Sequence, residues 1–410
     1  MTAPLEHLAR RYAAWGTPGD AVTARTLDTF AALLTGAATA EGRAIAAFGD
    51  GWSRDGVLGD VVRRVATARL TELDDVHMRT CTTPGSVVVP TAITVGAALD
   101  AAPEAYGRAV EIGYDAMTRL GAAIGGALVV YRGVWPTYFC APFAAAAVAS
   151  ALLDLGPEPT RNALGIALTR ATGLTSAITG TPLGRWLTLG DAARAGCSAA
   201  LAARDGFVAD VDLQRVASGS GIEFNRAALL DDGEPAIDAV SVKPFPTAKQ
   251  SLAATEAALR LSAHVAVEQI SHVRVHVPDA YAQMVANAPS GESRLSRISS
   301  ARWNVALALA RPDELHDVER AVSVDDPKLA HLAALVEVVA DHELDQHFPI
   351  RWPARVVIGD AEEEVVDAPG DPPANGRDML DAKWAARGQP LDWLGACSPN
   401  SLDEALRAIS

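Results

Sequence analysis

Four stretches of this chain put polar and ionisable side chains where apolar packing would otherwise continue. In residues 73–92, LDDVHMRTCTTPGSVVVPTA, the carboxylates Asp74 and Asp75, the imidazole of His77 and the hydroxyls of Thr80, Thr82, Thr83 and Ser86 precede an apolar helical run. Pro84-Gly85 makes a turn there. The hydroxyls and the open N–H groups of the following helix can therefore face an anion, or Asp and Thr can simply cap that helix. In residues 131–139, YRGVWPTYF, the side chains of Tyr131, Arg132, Trp135, Thr137 and Tyr138 offer a cation, two phenols and an indole N–H. Aromatic packing at a helix junction is the competing account.

The third stretch, residues 179–196, TGTPLGRWLTLGDAARAG, reads as a loop in which Gly180, Gly184 and Gly190 surround Arg185 and Trp186, with Asp191 capping the next helix. An arginine between buried helices is costly unless it meets a carboxylate, either a substrate's or the protein's own Asp74 or Asp75. The fourth, residues 241–257, SVKPFPTAKQSLAATEA, stiffens an extended segment with two prolines and then sets Thr247, Lys249 and Gln250 at a helix start. Lys243 and Lys249 there can hold a second carboxylate, act as bases if desolvated, or be ordinary surface lysines. His272 and His276 share a strand face without a third ligand in reach, so no metal site is expected.

These groups need elements to hold them. Residues 1–237 read as long, alanine-rich helices punctuated by Gly and Pro, several of them apolar on nearly all sides and so internal to a helical mass. The pattern changes in residues 238–372: HVRVHVPD alternates at strand period and ARVVIGDAEEEVV reads as a hairpin around Gly359-Asp360, with helical runs between them. Residues 373–410 return to helix after the Pro/Gly-rich APGDPPANG. The expected fold class is mainly α: a large all-helical domain built from both chain ends, with an inserted α+β domain.

Whole-chain properties bound the function. A chain of 410 residues, 49% hydrophobic, is long enough for two cores. Its net charge of -15, with no basic block interleaved with aromatics, argues against nucleic acid and anionic membrane as partners. Cys81, Cys140, Cys197 and Cys397 form no CxxC pair, and the amphipathic start has no apolar signal core, so a reducing cytoplasm is expected. The uncharged run 133–153 is nominally long enough to span a bilayer, but Pro136 and Pro142 are expected to break its first part and the rest is mostly alanine. It reads as a buried core helix.

Taken together and in order, LDDVH…TTPGSVVVPTAITVGAALD, AVEIGYDAMTRLG, GVWPTYFCAPFAAAAVASALLDL, NALGIALTRATGL, GRWLTLGDAARAG and KPFPT resemble the MmgE/PrpD family. That family includes 2-methylcitrate dehydratase, cis-aconitate decarboxylase and iminodisuccinate epimerase. The resemblance implies a helical domain, an α+β lid, a homodimer, and a cofactor-free site where a carbon acid beside a carboxylate loses a proton or carbon dioxide. Several positions depart from the family pattern. Thr83 stands where relatives place a histidine before Pro-Gly-Ser, Trp135 where they have the histidine of Gly-x-His-Pro-Thr, and Arg185 where they have lysine. The lid segment SSARWNVALAL lacks the tyrosine relatives often place there, while Asp75 and Lys243-Pro244 remain recognisable.

Threonine and indole cannot exchange protons as imidazole does, and arginine cannot serve as a base. The expected division of labour is therefore new: Asp75 or His77 as base, Tyr138 as acid, and Arg185 gripping a substrate carboxylate. Thr83, Ser86, Trp135 and Trp186 would line the site, and Lys243, Lys249 or Arg302 would meet a second anionic group from the lid. The expected activity is dehydration of a small hydroxy acid. Epimerisation beside a carboxylate and a non-catalytic binding homologue are the alternatives.

Overall fold

The computed structural model describes residues 4–48, 56–173, 183–209, 211–213, 215–216, 221–231, 233, 236–287, 294–319, 326–372, 377–385 and 398–408. The chain divides into two compact units, one made of Met1–Val240 with Arg387–Ser410 and the other of Ser241–Ala386. The fold is mainly α, as the alanine-rich periodicity implies.

The first unit is helical and holds α1 (Pro4–Ala13), α2 (Ala21–Ala37), α3 (Ala40–Ala47), α4 (Val57–Arg69), α5 (Pro84–Ala98), α6 (Pro103–Ala123), α7 (Pro136–Leu152), α8 (Pro157–Leu168) and α9 (Leu183–Arg204). Small residues let these helices close on one another. A Cβ at Gly196 of α9 would lie 2.1 Å from the Pro142 carbonyl oxygen of α7, and one at Gly190 would lie 2.3 Å from that of Val62 in α4. Helix α9 thus packs against both α4 and α7 at backbone distance. The helix Pro399–Arg407 returns to this unit and packs on α5, where Arg64 of α4 pairs with its Asp403 at 2.6 Å.

Three local readings change. The run from Glu104 to Tyr131 is two pieces: α6 ends at Ala123, and Gly125 (φ 108°) and Gly126 (φ 64°) turn the chain left-handed into a 3-10 segment, Gly126–Arg132. A side chain at Gly126 would strike the Arg79 carbonyl, 2.7 Å from its Cβ position. Pro142 does not interrupt α7, which begins with Pro136 in its first turn and runs past Pro142 almost wholly buried. Arg185 and Trp186 stand in the first turn of α9 instead of on a loop, and Asp191, inside that helix, pairs with Arg194 at 3.0 Å and caps nothing. Gly180 and Cys397 lie outside the described residues.

The second unit carries a four-stranded sheet, order β2-β1-β3-β4, from β1 (Val273–Val277), β2 (Val336–Ala340), β3 (Ala354–Ile358) and β4 (Ala361–Val365). β1 runs parallel to β2 and antiparallel to β3, and the β3–β4 hairpin turns at Gly359 (φ 59°), the hairpin the sequence predicts. Val273, Val275 and Val277 bury one face of β1, and the helix Lys249–Ser262 packs against β3 and β4. Sequence pattern ends the α+β segment at residue 372. The helix Arg377–Ala385 belongs to this unit nonetheless, with Leu380, Lys383 and Trp384 buried. Among the described residues, no helix is long and apolar enough to cross a membrane.

Candidate active site

The loop from α4 to α5 brings most of the unusual chemistry together. Glu72 (φ 54°) and Cys81 (φ 52°) take left-handed backbone without being glycine, a conformation that costs roughly 1–2 kcal/mol per residue and is kept where the surrounding structure requires it. The bend at Glu72 brings its carboxylate back onto Arg69, the last residue of α4, at 2.7 Å, and Asp74 approaches the same guanidinium at 3.4 Å. Burial alone would pull Arg69 down, but Asp74 and Glu72 more than offset it and hold the group above its ordinary value. The Arg69 guanidinium carbon also lies 5.5 Å from the centre of the Trp186 ring.

Tyr138, in the first turn of α7, belongs to the same neighbourhood. Burial drives its phenol well above the usual range, Arg69 and Arg185 pull it back, and Glu72 and Asp74 push it up again. Arg185 lies with its guanidinium carbon 5.5 Å from the centre of the Trp135 ring, the residue just before α7. Tyr138, Trp135, Arg185 and Trp186 are therefore brought together, and Arg69, Glu72 and Asp74 join them.

Hydrogen bonding in this group is incomplete. The Tyr138 hydroxyl, the Trp186 indole N–H and the Nε–H groups of Arg69 and Arg185 are buried with no acceptor among the described residues. A buried donor left without a partner costs about 1–3 kcal/mol, and more when charged, so native proteins keep few of them. Four in one neighbourhood call for an acceptor that is not part of the described chain.

Asp75 does not belong to this group. Its Oδ1 accepts the Gly85 N–H at 2.8 Å, in the first turn of α5, and its Oδ2 accepts the Tyr114 hydroxyl at 2.6 Å. A Cβ at Gly85 would lie 2.5 Å from Thr29 Oγ1 and 2.9 Å from Asp75 Oδ1, so the carboxylate is closely walled in. Burial and the neighbouring Asp28 push its pKa up to about 7, against the pull of Tyr114, Arg25 and the Gly85 N–H. This is the capping arrangement that the sequence offers as the alternative for Asp75, with each oxygen bonded to one of the protein's own groups.

His77 is likewise held elsewhere. Its Nδ1 meets Thr80 Oγ1 at 2.7 Å, Thr80 meets Thr82 at 2.8 Å, and burial, with Arg79 nearby, lowers the imidazole to about 4. Thr83 and Ser86 satisfy one another at 3.1 Å, and the Thr83 N–H donates to Thr137 Oγ1 at 3.0 Å. That contact ties the start of α5 to the start of α7.

In the second unit, Lys249 is fully committed. Its Nζ lies 2.5 Å from Asp371 Oδ1, which also accepts from Ser241 Oγ at 2.5 Å, while Asp371 Oδ2 accepts from the Ala368 N–H at 3.0 Å. Burial lowers the Lys249 ammonium, Asp371 opposes that, and Lys243 adds to it. Lys249 therefore holds the protein's own carboxylate. Lys243, also buried, donates to the Thr247 carbonyl at 3.2 Å. Arg302, in the first turn of the helix Ala301–Ala310, keeps a buried Nε–H with no acceptor among the described residues. Among the described residues, no three His, Cys, Asp or Glu side chains are grouped to hold a metal.

Sequence reasoning missed Arg69 and Glu72. The signal was present in ARLTELDD, a cation with carboxylates three and five residues later, but it reads as an ordinary helix end.

Residues 65–221 match the MmgE/PrpD N-terminal domain and residues 245–390 the MmgE/PrpD C-terminal domain, together well over half the chain. The chain belongs to the MmgE/PrpD family. A curated relative, the cis-aconitate decarboxylase-like protein oryM of Aspergillus oryzae, is 37% identical over 153 residues. That match covers 33% of this chain and only 30% of the relative. In this MmgE/PrpD protein the N-terminal family domain holds the whole group from Arg69 to Trp186, together with the departures at Thr83, Trp135 and Arg185. Asp371 and Lys249 lie in the C-terminal one.

Proposed function

We propose that this protein is a cofactor-independent lyase that dehydrates a small hydroxy acid by abstracting the proton beside its carboxylate. Family membership supports the lyase class, and the Aspergillus relative is named a cis-aconitate decarboxylase-like protein. One observation carries the reading: a buried phenol, Tyr138, without an acceptor, in the field of two guanidinium groups, Arg69 and Arg185.

In this scheme Arg185 grips the substrate carboxylate, which spreads the negative charge that develops when the adjacent C–H bond breaks. Asp74, the carboxylate that shares Tyr138's surroundings, takes that proton, the role that sequence reasoning gave to Asp75 or His77. The electron pair forms the C=C bond, and the C–O bond on the next carbon breaks. Tyr138 protonates the departing hydroxyl, so that water leaves, and the proton on Asp74 then restores the phenol. Arg69 and Arg185 stabilise the transient phenolate.

Incubation with a pool of hydroxy acids in heavy water, read by mass spectrometry, tests this. The intact protein should yield the dehydrated acid, with deuterium entering the substrate on reversal, and Tyr138→Phe should not. If the pool passes through unchanged, the second reading stands: a binding homologue. That reading is favoured by the way Asp75, His77 and Lys249 are each bonded to the protein's own groups. The homodimer, the lid role of the second unit and a cytoplasmic setting remain part of the same proposal.

A further inference from the structure

We propose that Trp186 and Arg69 form a second binding post that reads an uncharged oxygen of the substrate, so that the preferred ligand is a monocarboxylate bearing a hydroxyl or carbonyl, not a di- or tricarboxylate. This rests on the reading of the Tyr138 neighbourhood as the place where a carboxylated substrate binds, but not on the reaction that follows.

The chemistry of the orphaned groups comes first. An indole N–H and a guanidinium can only donate, so the missing partners of Trp186 and Arg69 must be acceptors. Trp186 is fully buried, Tyr138 is 3% exposed and Arg69 is 5% exposed, so bulk water does not serve them. The two are one post, since the Arg69 guanidinium lies against the Trp186 ring. Stacking covers one face of the cation and leaves its edge for hydrogen bonding.

Charge then decides what kind of acceptor fits. Among the described residues Arg69 already meets two carboxylates, Glu72 at 2.7 Å and Asp74 at 3.4 Å, so its positive charge is more than compensated. A second substrate carboxylate there would face Glu72 and Asp74 in a poorly screened interior, where like charges repel strongly. Arg185 differs, because among the described residues no carboxylate pairs with it, whereas its Nε–H likewise lacks an acceptor. One end of the neighbourhood therefore takes an anion and the other a neutral oxygen, with the Tyr138 hydroxyl beside both.

The test pairs stability with binding, using Trp186→Phe, which removes the N–H and keeps an aromatic ring. Without ligand, the variant should lose only the stability that trimming a buried indole to a phenyl removes, because no protein hydrogen bond is lost. In calorimetric titrations with 3-hydroxybutyrate, butyrate and malate, the parent should prefer 3-hydroxybutyrate. Trp186→Phe should weaken 3-hydroxybutyrate by about tenfold and butyrate by less than about twofold, the signature of one lost hydrogen bond. Arg69→Gln should show the same split. The proposal is overturned if Trp186→Phe weakens 3-hydroxybutyrate and butyrate equally, if malate binds the parent more tightly than 3-hydroxybutyrate, or if the parent binds none of the three. If the binding pattern holds but no water is lost from any hydroxy acid, the dehydratase reading fails and this one survives.

Discussion

Two buried charged clusters in this protein are built from similar materials and finished differently. In the second unit, Lys249, Asp371, Ser241 and the Ala368 N–H close on one another, and Asp371 uses both oxygens. In the first unit, Arg69 is anchored by Glu72 and Asp74, yet its Nε–H and the donors of Tyr138, Trp186 and Arg185 end without acceptors. The closed cluster resembles a structural fastening. The open one leaves these donors without acceptors among the described residues, at a cost of about 1–3 kcal/mol each.

The sharpest way to break the comparison is Tyr138→Phe. If the open cluster is catalytic, turnover of the hydroxy acid should fall by about 10²–10⁴-fold, the usual weight of a positioned general acid. The melting temperature should stay level or rise, since an orphaned hydroxyl is removed. A variant that melts lower while keeping its activity would make Tyr138 part of a strut. Asp371→Ala should do the reverse. It strands a buried ammonium and should cost about 3–5 kcal/mol in urea unfolding, and near-normal stability would mean the Lys249 pair is not a fastening.

Asp75 gives a pH test of its capping role. With its folded pKa raised to about 7, the native state holds a proton that the unfolded chain releases near 3.9. The stability it contributes is fully present below about pH 4 and is lost as the pH rises through 7. Asp75→Asn cannot ionise, so its stability relative to the parent should improve from pH 4 to 8, by on the order of 4 kcal/mol at most. A difference that stays constant with pH would place the ionisation elsewhere. The smallest effect expected is Gly190→Ala, which drives a methyl into the Val62 carbonyl, 2.3 Å from its Cβ position, and should cost about 1–3 kcal/mol by thermal or chemical unfolding. Because this substitution tilts the start of α9, it should also reduce binding at Arg185 and Trp186.

Much of the layout was legible because it is local. Alanine-rich periodicity marked the helices, alternation marked β1, and Gly359-Asp360 marked the hairpin. The ordered motifs identified the family, and two of the departures, Trp135 and Arg185, lie in the neighbourhood of Tyr138. The misreadings came where context outweighs local preference. Pro142 stays inside α7 because the helix is buried on all sides, and Arg185 begins a helix despite the glycines around it.

By itself, then, the sequence determined which segments are helical, where the α+β unit begins, and which loops hold ionisable groups. Only the tertiary structure decided which carboxylate does what. Asp74 and Asp75 are adjacent, yet one joins Arg69 and the other Tyr114 and Gly85, because successive side chains on non-helical backbone diverge into different surroundings. Lys249 finds Asp371 across 122 positions, and Arg69 finds Trp186 across two helices, pairings that no local spacing encodes. They follow from how the helices pack, and packing settles which donors end with an acceptor and which do not.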